Sequence, residues 1–193
     1  MMFAFDEVRM GEGIGDEWAD SAAQAGEAGS IEVAAFPTAF DRSARLIASG
    51  AEQVGTCTRV TQQTLQRLAF DLYLDPVRPA VAVVTLVGAD EEAGLQLRIE
   101  AGLAMTAAAS RDQLTPGPPI PAGHWVRMEI SAEGGSIQWR SQSTAEPDSA
   151  PEAGSLGQVV LAPITRICLA AAGPAGGVVS YDNLEIHGID RGG

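Results

Sequence analysis

The chain has 193 residues, which suits one β-domain able to bury roughly 70% of its unfolded surface without needing a disulfide or a metal. Its formal net charge is −13, from 25 acidic residues against 12 basic ones, and every basic residue is arginine. That balance argues against nucleic-acid binding and against anionic membrane surfaces, and no run of about 18 apolar residues offers a membrane span.

The opening residues, Met1-Met2-Phe3-Ala4-Phe5-Asp6-Glu7, lack the basic and long apolar regions of a signal peptide. Asp20 to Gly29 is Ala-rich, but Gly26 interrupts it and it has no apolar stripe, so it makes no convincing helix. Strand signals follow. Cys57-Thr58-Arg59-Val60 reads as a strand segment, and Leu68, Phe70, Leu72 and Leu74 alternate with Arg67, Ala69, Asp71 and Tyr73 as a half-buried strand. Pro76 and Pro79 end it. Ala80 to Val87 is nearly all apolar and reads as a central strand covered on both faces. Asp90-Glu91-Glu92-Ala93-Gly94 is a turn, and Leu95, Leu97 and Ile99 begin the next alternation. Gly102 to Ala109 predicts a further short strand, and Thr115 to Pro121 a rigid proline-rich loop.

Beyond the loop, Val126, Met128 and Ile130 alternate with Trp125, Arg127 and Glu129. Glu133-Gly134-Gly135 predicts a hairpin turn, with Ile137 and Trp139 on the return strand. Ser141 to Gly157 is polar, contains two prolines and predicts a mobile loop. Val159 to Leu161, Ile164 to Ala170 and Val178 to Ile186 complete the strands, with Gly173 to Gly177 as the last turn. Many short strands at this spacing predict an all-β fold, a two-sheet antiparallel β-sandwich or jelly roll. Residues 1–190 form one domain on this reading, and residues 191–193 a tail or linker.

The spacing of Cys57 and Cys168 matches no metal motif. Each is out of phase with its apolar neighbours, which puts both on the non-core face of a sheet. A bridge then requires that the two strands pair; small buried thiols are the alternative. In the last strand, simple alternation puts Asp182 on the same face as Val178, Leu184 and Ile186. A carboxylate on a core-facing row is costly unless hydrogen-bonded, paired or bound to a cation.

Three pieces carry a family likeness: Leu68 to Leu74; Gly123-His124-Trp125-Val126-Arg127-Met128-Glu129-Ile130 with its Gly-rich hairpin; and Tyr181-Asp182-Asn183-Leu184-Glu185-Ile186. In this order they resemble the concanavalin A-like lectin/glucanase superfamily, in its laminin G-like and bacterial carbohydrate-binding members. The opening Phe3 to Glu7, Trp18 and Ser43 to Leu46 fit the same plan. The resemblance implies a two-sheet jelly roll, an extracellular or cell-surface setting, and a sugar, calcium, assembly or glucanase role. Fold alone does not choose among these.

The residues narrow the choice. The Glu-x-Asp-x-x-Glu pattern of laminarinase-type members is absent, and with only His124 and His187 and no nucleophile elbow, a catalytic triad lacks support. Asp182 on an inward face, near Asp6 and Glu7 in a jelly roll, would suit Ca2+, which takes oxygen ligands. Pairing with backbone amides or an arginine such as Arg45 is the alternative. For a sugar, the aromatic candidates are Tyr73, on the polar face, and Trp139, which shares its face with Ile137 and so favours packing; Phe70 and Trp125 are assigned to the core. Arg59, Arg67, Arg98, Arg127 and Arg140 fall on non-core positions. With Asp71, Glu100 and Glu129 they make either a polar groove or a solvated, salt-bridged sheet face. The expected function is a non-catalytic recognition module for carbohydrate or a glycosylated surface, with Tyr73, Trp139, Arg67, Asp71 and Arg127 binding ligand. A structural subunit that self-assembles or joins a partner protein, in a surface layer, filament or virion, is the alternative; a glucanase comes third.

Overall fold

Period-two alternation of apolar and polar residues makes a strand that buries one face, and it recurs along this chain. The computed structural model describes residues 2–3, 30–35, 42–50, 53–89, 93–109, 112–113, 116–146, 148–158 and 161–190. Among them are thirteen strands and no helix. In chain order they are β1 (Met2–Phe3), β2 (Ser30–Ala35), β3 (Arg42–Ile47), β4 (Val54–Leu74), β5 (Val81–Gly88), β6 (Ala93–Ile99) and β7 (Thr106–Ala109). They continue with β8 (Asp112–Gln113), β9 (Trp125–Glu133), β10 (Ser136–Ser143), β11 (Glu152–Gln158), β12 (Ile164–Ala172) and β13 (Val178–Asp190). Every pairing between them is antiparallel.

The two segments read as separate, around Cys57 and Leu68, are one 21-residue strand, β4. Its first half, to Gln63, pairs with β12, from which β5, β6, β7 and β8 follow outward. Its second half lies between β9 and β13. From β9 the order runs to β10 and β11, and from β13 to β3 and β2. Register shifts near Gln63 and between Leu65 and Arg67 mark where the strand changes partners; extra residues of this kind bend a strand and sharpen its twist. One continuous ladder thereby becomes two leaves that share β4, the expected sandwich.

The leaves enclose one apolar cluster. Leu68, Phe70 and Leu72 of β4 and Met128 and Ile130 of β9 meet Val84 of β5, Leu97 of β6 and Leu169 of β12. Each such side chain contributes about 1.5–3 kcal/mol when fully buried. Tyr181 of β13 is fully buried, with its ring 6.4 Å from that of Phe70. Its hydroxyl donates to the Ala170 carbonyl at 2.7 Å and lies 3.3 Å from the Val83 carbonyl, both on the opposite leaf. Burial pushes the phenol pKa up, so it remains a donor. A buried hydroxyl must find partners, and here they tie the two leaves together.

Two expectations change. Ser141 to Gly157 is not a loop throughout: β10 runs to Ser143 and β11 pairs with it from Glu152 onward. The sequence hid β11 because its small residues pack little, apart from buried Leu156. Its fit depends on Gly154, where an added Cβ would sit 3.0 Å from the Trp139 ring. Within Gly102 to Ala109, only Thr106–Ala109 is strand. The readings on Asp20 to Gly29, Trp18 and Asp90 to Glu92 lie outside the described residues.

Cys57 and Cys168 are directly opposed in the β4–β12 ladder and form a disulfide, with Cα atoms 4.0 Å apart and 111 residues of sequence separation. The phase argument thus placed them correctly, and the pairing supplies the bridge. Closing so long a loop restricts the unfolded chain, an effect of about 2–4 kcal/mol. The paired Cys57→Ala, Cys168→Ala variant should therefore melt roughly 5–15 °C lower by calorimetry. A shift under about 2 °C would show that the bridge contributes little beyond the ladder around it.

Candidate functional site

The outward face of the β9–β4–β13 leaf carries the polar residues of the alternating strands. Arg67, Ala69, Asp71 and Tyr73 of β4 oppose Ser131, Glu129, Arg127 and Trp125 of β9. On the other side, Glu185 of β13 opposes Ala69 and His187 opposes Arg67.

A bulge brings β13 into this face. Its register against β4 shifts between Asp182 and Glu185, and Asn183 has a φ of 45°. Asparagine tolerates this left-handed conformation better than most residues. The extra residue changes the phase of the strand: Val179 and Tyr181 face the core before it, Leu184 and Ile186 after it. Asp182 therefore does not share the core-facing row with Leu184 and Ile186, contrary to the simple alternation. Its Oδ1 accepts the Asn183 backbone N–H at 2.7 Å.

Asn183 then acts as a hub. Its side-chain amide donates to Asp71 Oδ2 at 2.7 Å, and its carbonyl accepts from Arg127 Nη1 at 2.9 Å. Arg127 also reaches Asp71 Oδ1 at 3.2 Å through Nη1 and Glu185 Oε1 through Nη2. Arg67 pairs with Glu129 at 2.7 Å and with Glu185 at 3.3 Å. His187 Nε2 lies 3.5 Å from Glu185 Oε2. Arg127, Asp71 and Glu185 are 25%, 22% and 24% exposed at the side chain, so the network is half-sunk rather than free in solvent. Ala69 sits beneath it, between Glu129 and Glu185, and is fully buried although it faces away from the core. Only a small side chain leaves room for the charged groups to close over it.

Burial pushes the Glu185 carboxyl pKa up, but the hydrogen bond and charge of Arg127, with His187 and Arg67, outweigh it and hold the pKa below the ordinary glutamate value. The hydrogen bond to Glu129 raises the Arg67 pKa against desolvation. At the Asp71 end, the Tyr73 and Trp125 rings pack with centroids 5.8 Å apart and planes tilted by 51°. Trp125 is 9% exposed, while Tyr73 is half-buried.

Of the residues singled out in the sequence, Tyr73, Arg67, Asp71 and Arg127 are brought together here, and Glu129 joins them. Trp139 is not: it opposes Ile130 and packs against the core from the other side of the leaf. Trp125, assigned to the core, lies instead on the polar face, as its own alternation with Val126 and Met128 implies. Arg59 and Arg98 belong to the other leaf, so no single groove holds all five arginines. Asn183 and Glu185 were missed. The signal for them was the adjacent Asp182-Asn183 pair between two apolar alternations of opposite phase.

Asp6 and Glu7 lie outside the described residues. Among the described residues no group of three or more His, Cys, Asp or Glu side chains could hold a metal ion. Both Asp71 oxygens already accept from Arg127 and Asn183, and Asp182 does not face inward. Of the three residues expected to hold Ca2+, only Asp182 is among the described residues.

No family model matches the chain, and no curated protein matches it. Solved structures do. A Bacillus subtilis protein of unknown function with a galectin-like fold matches with a TM-score of 0.58 at 11% identity, over 97% of this chain and 94% of its own. The exoplasmic/lumenal domain of VIP36, in its Ca2+/Man3GlcNAc-bound form, matches with a TM-score of 0.54 at 8% identity, over 86% of each chain. Enzymes match as well. The Klebsiella pneumoniae alginate lyase gives 0.53 at 8% identity, over 83% of this chain and 85% of its own. A sialidase gives 0.56 at 12% identity over 86% of this chain, which spans only 16% of the sialidase. At such identities the likeness is one of fold: the chain has the concanavalin A-like jelly-roll fold.

The network makes a pH-dependent contribution to stability. Because the Glu185 pKa is lower folded than unfolded, that contribution is complete above the ordinary glutamate pKa, about 4.3, and is lost as pH falls through the lower folded value. Glu185→Gln should cost about 1–2 kcal/mol at neutral pH. In urea titrations the gap to wild type should narrow below about pH 4. A gap that stays constant through that range would show that Glu185 is not held ionised by the two arginines.

Proposed function

We propose that the chain is a non-catalytic recognition module that binds carbohydrate, free or on a glycosylated surface, through the outward face of the β9–β4–β13 leaf. The observation that carries this reading is the fixed array of Arg67, Arg127, Asn183 and Glu185 beside the Tyr73–Trp125 pair. Sugar hydroxyls are donors and acceptors at once. Guanidinium, amide and carboxylate groups read them with planar, paired hydrogen bonds. The apolar C–H face of a sugar ring packs on an aromatic side chain, and Tyr73 is the half-exposed member of the pair. Because the polar groups already hold one another in place, little side-chain entropy is lost on binding.

The non-catalytic part of the reading is supported by the acids themselves. Glycoside hydrolysis asks for a carboxylic acid with a raised pKa near a second carboxylate. Glu185 is shifted the other way, and Asp71 is tied to Arg127 and Asn183. The Cys57–Cys168 disulfide belongs to oxidising compartments, which supports an extracellular or cell-surface setting.

A thermal melt against a glycan panel tests this. A glycan at about ten times its Kd adds roughly 1.4 kcal/mol, a shift of about 3–6 °C for a domain of this size. A selective shift is expected, and Arg127→Met and Tyr73→Ala should each weaken the selected glycan at least tenfold by calorimetry. Trp139→Phe, on the other side of the leaf, should leave its Kd unchanged. A flat panel contradicts the proposal; if the protein also self-associates in analytical ultracentrifugation, the assembly role takes its place.

A further inference from the structure

Among the described strands, the β12–β5–β6–β7–β8 leaf joins the rest of the ladder only through β4. Residues 54–59 of β4 make that seam, pairing with residues 166–171 of β12. In the described ladder they have no partner strand on their other edge, whereas the second half of β4 lies between β9 and β13. Side-chain burial also holds the seam less firmly. The first half buries Val54, Thr56, Thr58 and Val60, where the second half buries Leu68, Phe70, Leu72 and Leu74. The first set removes less apolar area from water.

The Cys57–Cys168 bridge stands in the middle of this seam. Both cysteines are only half-buried and lie on the outward face of the leaf, within reach of a reductant in solvent. Two positions along each strand, on the same face, Arg59 and Arg166 directly oppose one another. Cationic neighbours favour a thiolate over a thiol, and a stabilised thiolate leaves a disulfide faster. The seam thus combines an accessible bridge, surroundings that ease its cleavage, and few other contacts to hold it once the bridge is cut.

We propose that the Cys57–Cys168 bridge is a redox-sensitive lock on the seam between the two leaves, opened in the folded protein by a dithiol reductant. One thiolate of the reductant attacks a sulfur of the bridge; the S–S bond breaks and the other cysteine leaves as a thiolate. The second thiol of the reductant then displaces the first cysteine from the mixed disulfide. Two electrons pass to the protein, the two protons lost by the dithiol balance those gained by the cysteines, and the reductant ends as its own disulfide. Opening frees the first half of β4 from β12, while the second half, with Arg67, Asp71 and Tyr73, stays between β9 and β13.

Dithiothreitol is the probe, acting on the full chain without denaturant, with released thiols counted by alkylation and mass spectrometry. Two thiols per chain should appear, at a rate changed less than twofold by 1 M urea. Reduction that waited for global unfolding would speed up at least about fivefold. The reduced protein should keep its β-sheet circular dichroism. Its hydrogen exchange should rise at least tenfold more at residues 54–60 than at residues 67–74. The Cys57→Ser, Cys168→Ser variant should show no change in exchange on adding dithiothreitol. No thiol release, a fivefold urea acceleration, loss of the β-sheet signal, an equal rise in exchange along both halves of β4, or a response of the serine variant would each overturn the proposal.

Discussion

The structure turns on one extra residue in β13. Without the bulge at Asn183, a strand that buries Tyr181 would also bury Asn183 and Glu185, and Leu184 and Ile186 would face solvent. With it, the same strand buries Tyr181, Leu184 and Ile186 and still presents Asn183 and Glu185 to the polar face. The position must hold a left-handed backbone and three polar contacts at once. Asparagine meets both demands: its N–H, its carbonyl and its side-chain amide each have a partner within three ångströms. The bulge therefore links the core to the candidate site. Tyr181 fixes the strand to the opposite leaf through Ala170, and two residues later Asn183 fixes Arg127 and Asp71.

The second organising feature is β4. Its first half is bridged to β12 by the disulfide, and its second half carries Arg67, Asp71 and Tyr73. The strand belongs to both leaves, so the polar face is mounted on a strand held by three neighbours and the disulfide. A site on paired strands, with its rotamers fixed by mutual hydrogen bonds, is more rigid than one on loops. Ala69 shows how closely the face is built: a larger residue there would push the ion pairs apart without touching the core.

Much of this was legible in the sequence. The strict alternation of Leu68, Phe70, Leu72 and Leu74 gave the second half of β4, and its polar phase gave Arg67, Asp71 and Tyr73. The phase of the cysteines gave their face. What failed did so for identifiable reasons. A bulge breaks period-two counting, so Asp182 was read inward when Asn183 absorbs the shift. Trp125 is assigned to the core in the sequence, although its own alternation puts it beside Arg127. It is buried all the same, because Tyr73 packs against it. Strand β11 left little trace, since Ala153, Gly154, Ser155 and Gly157 are held by backbone hydrogen bonds rather than by side-chain burial. That Asn183 and Glu185 meet Arg127 depends on sheet register between segments 56 and 58 residues apart, which local patterns do not encode.

The central claim is that the outward face of β4, β9 and β13 receives a sugar. Amide chemical-shift mapping during titration with the glycan that stabilises the protein most tests it directly. The account predicts that the largest shifts fall on Asp71, Tyr73, Arg127, Asn183 and Glu185, contiguous across three strands. Shifts confined to the other leaf or to the loops, with these five unmoved, would contradict it.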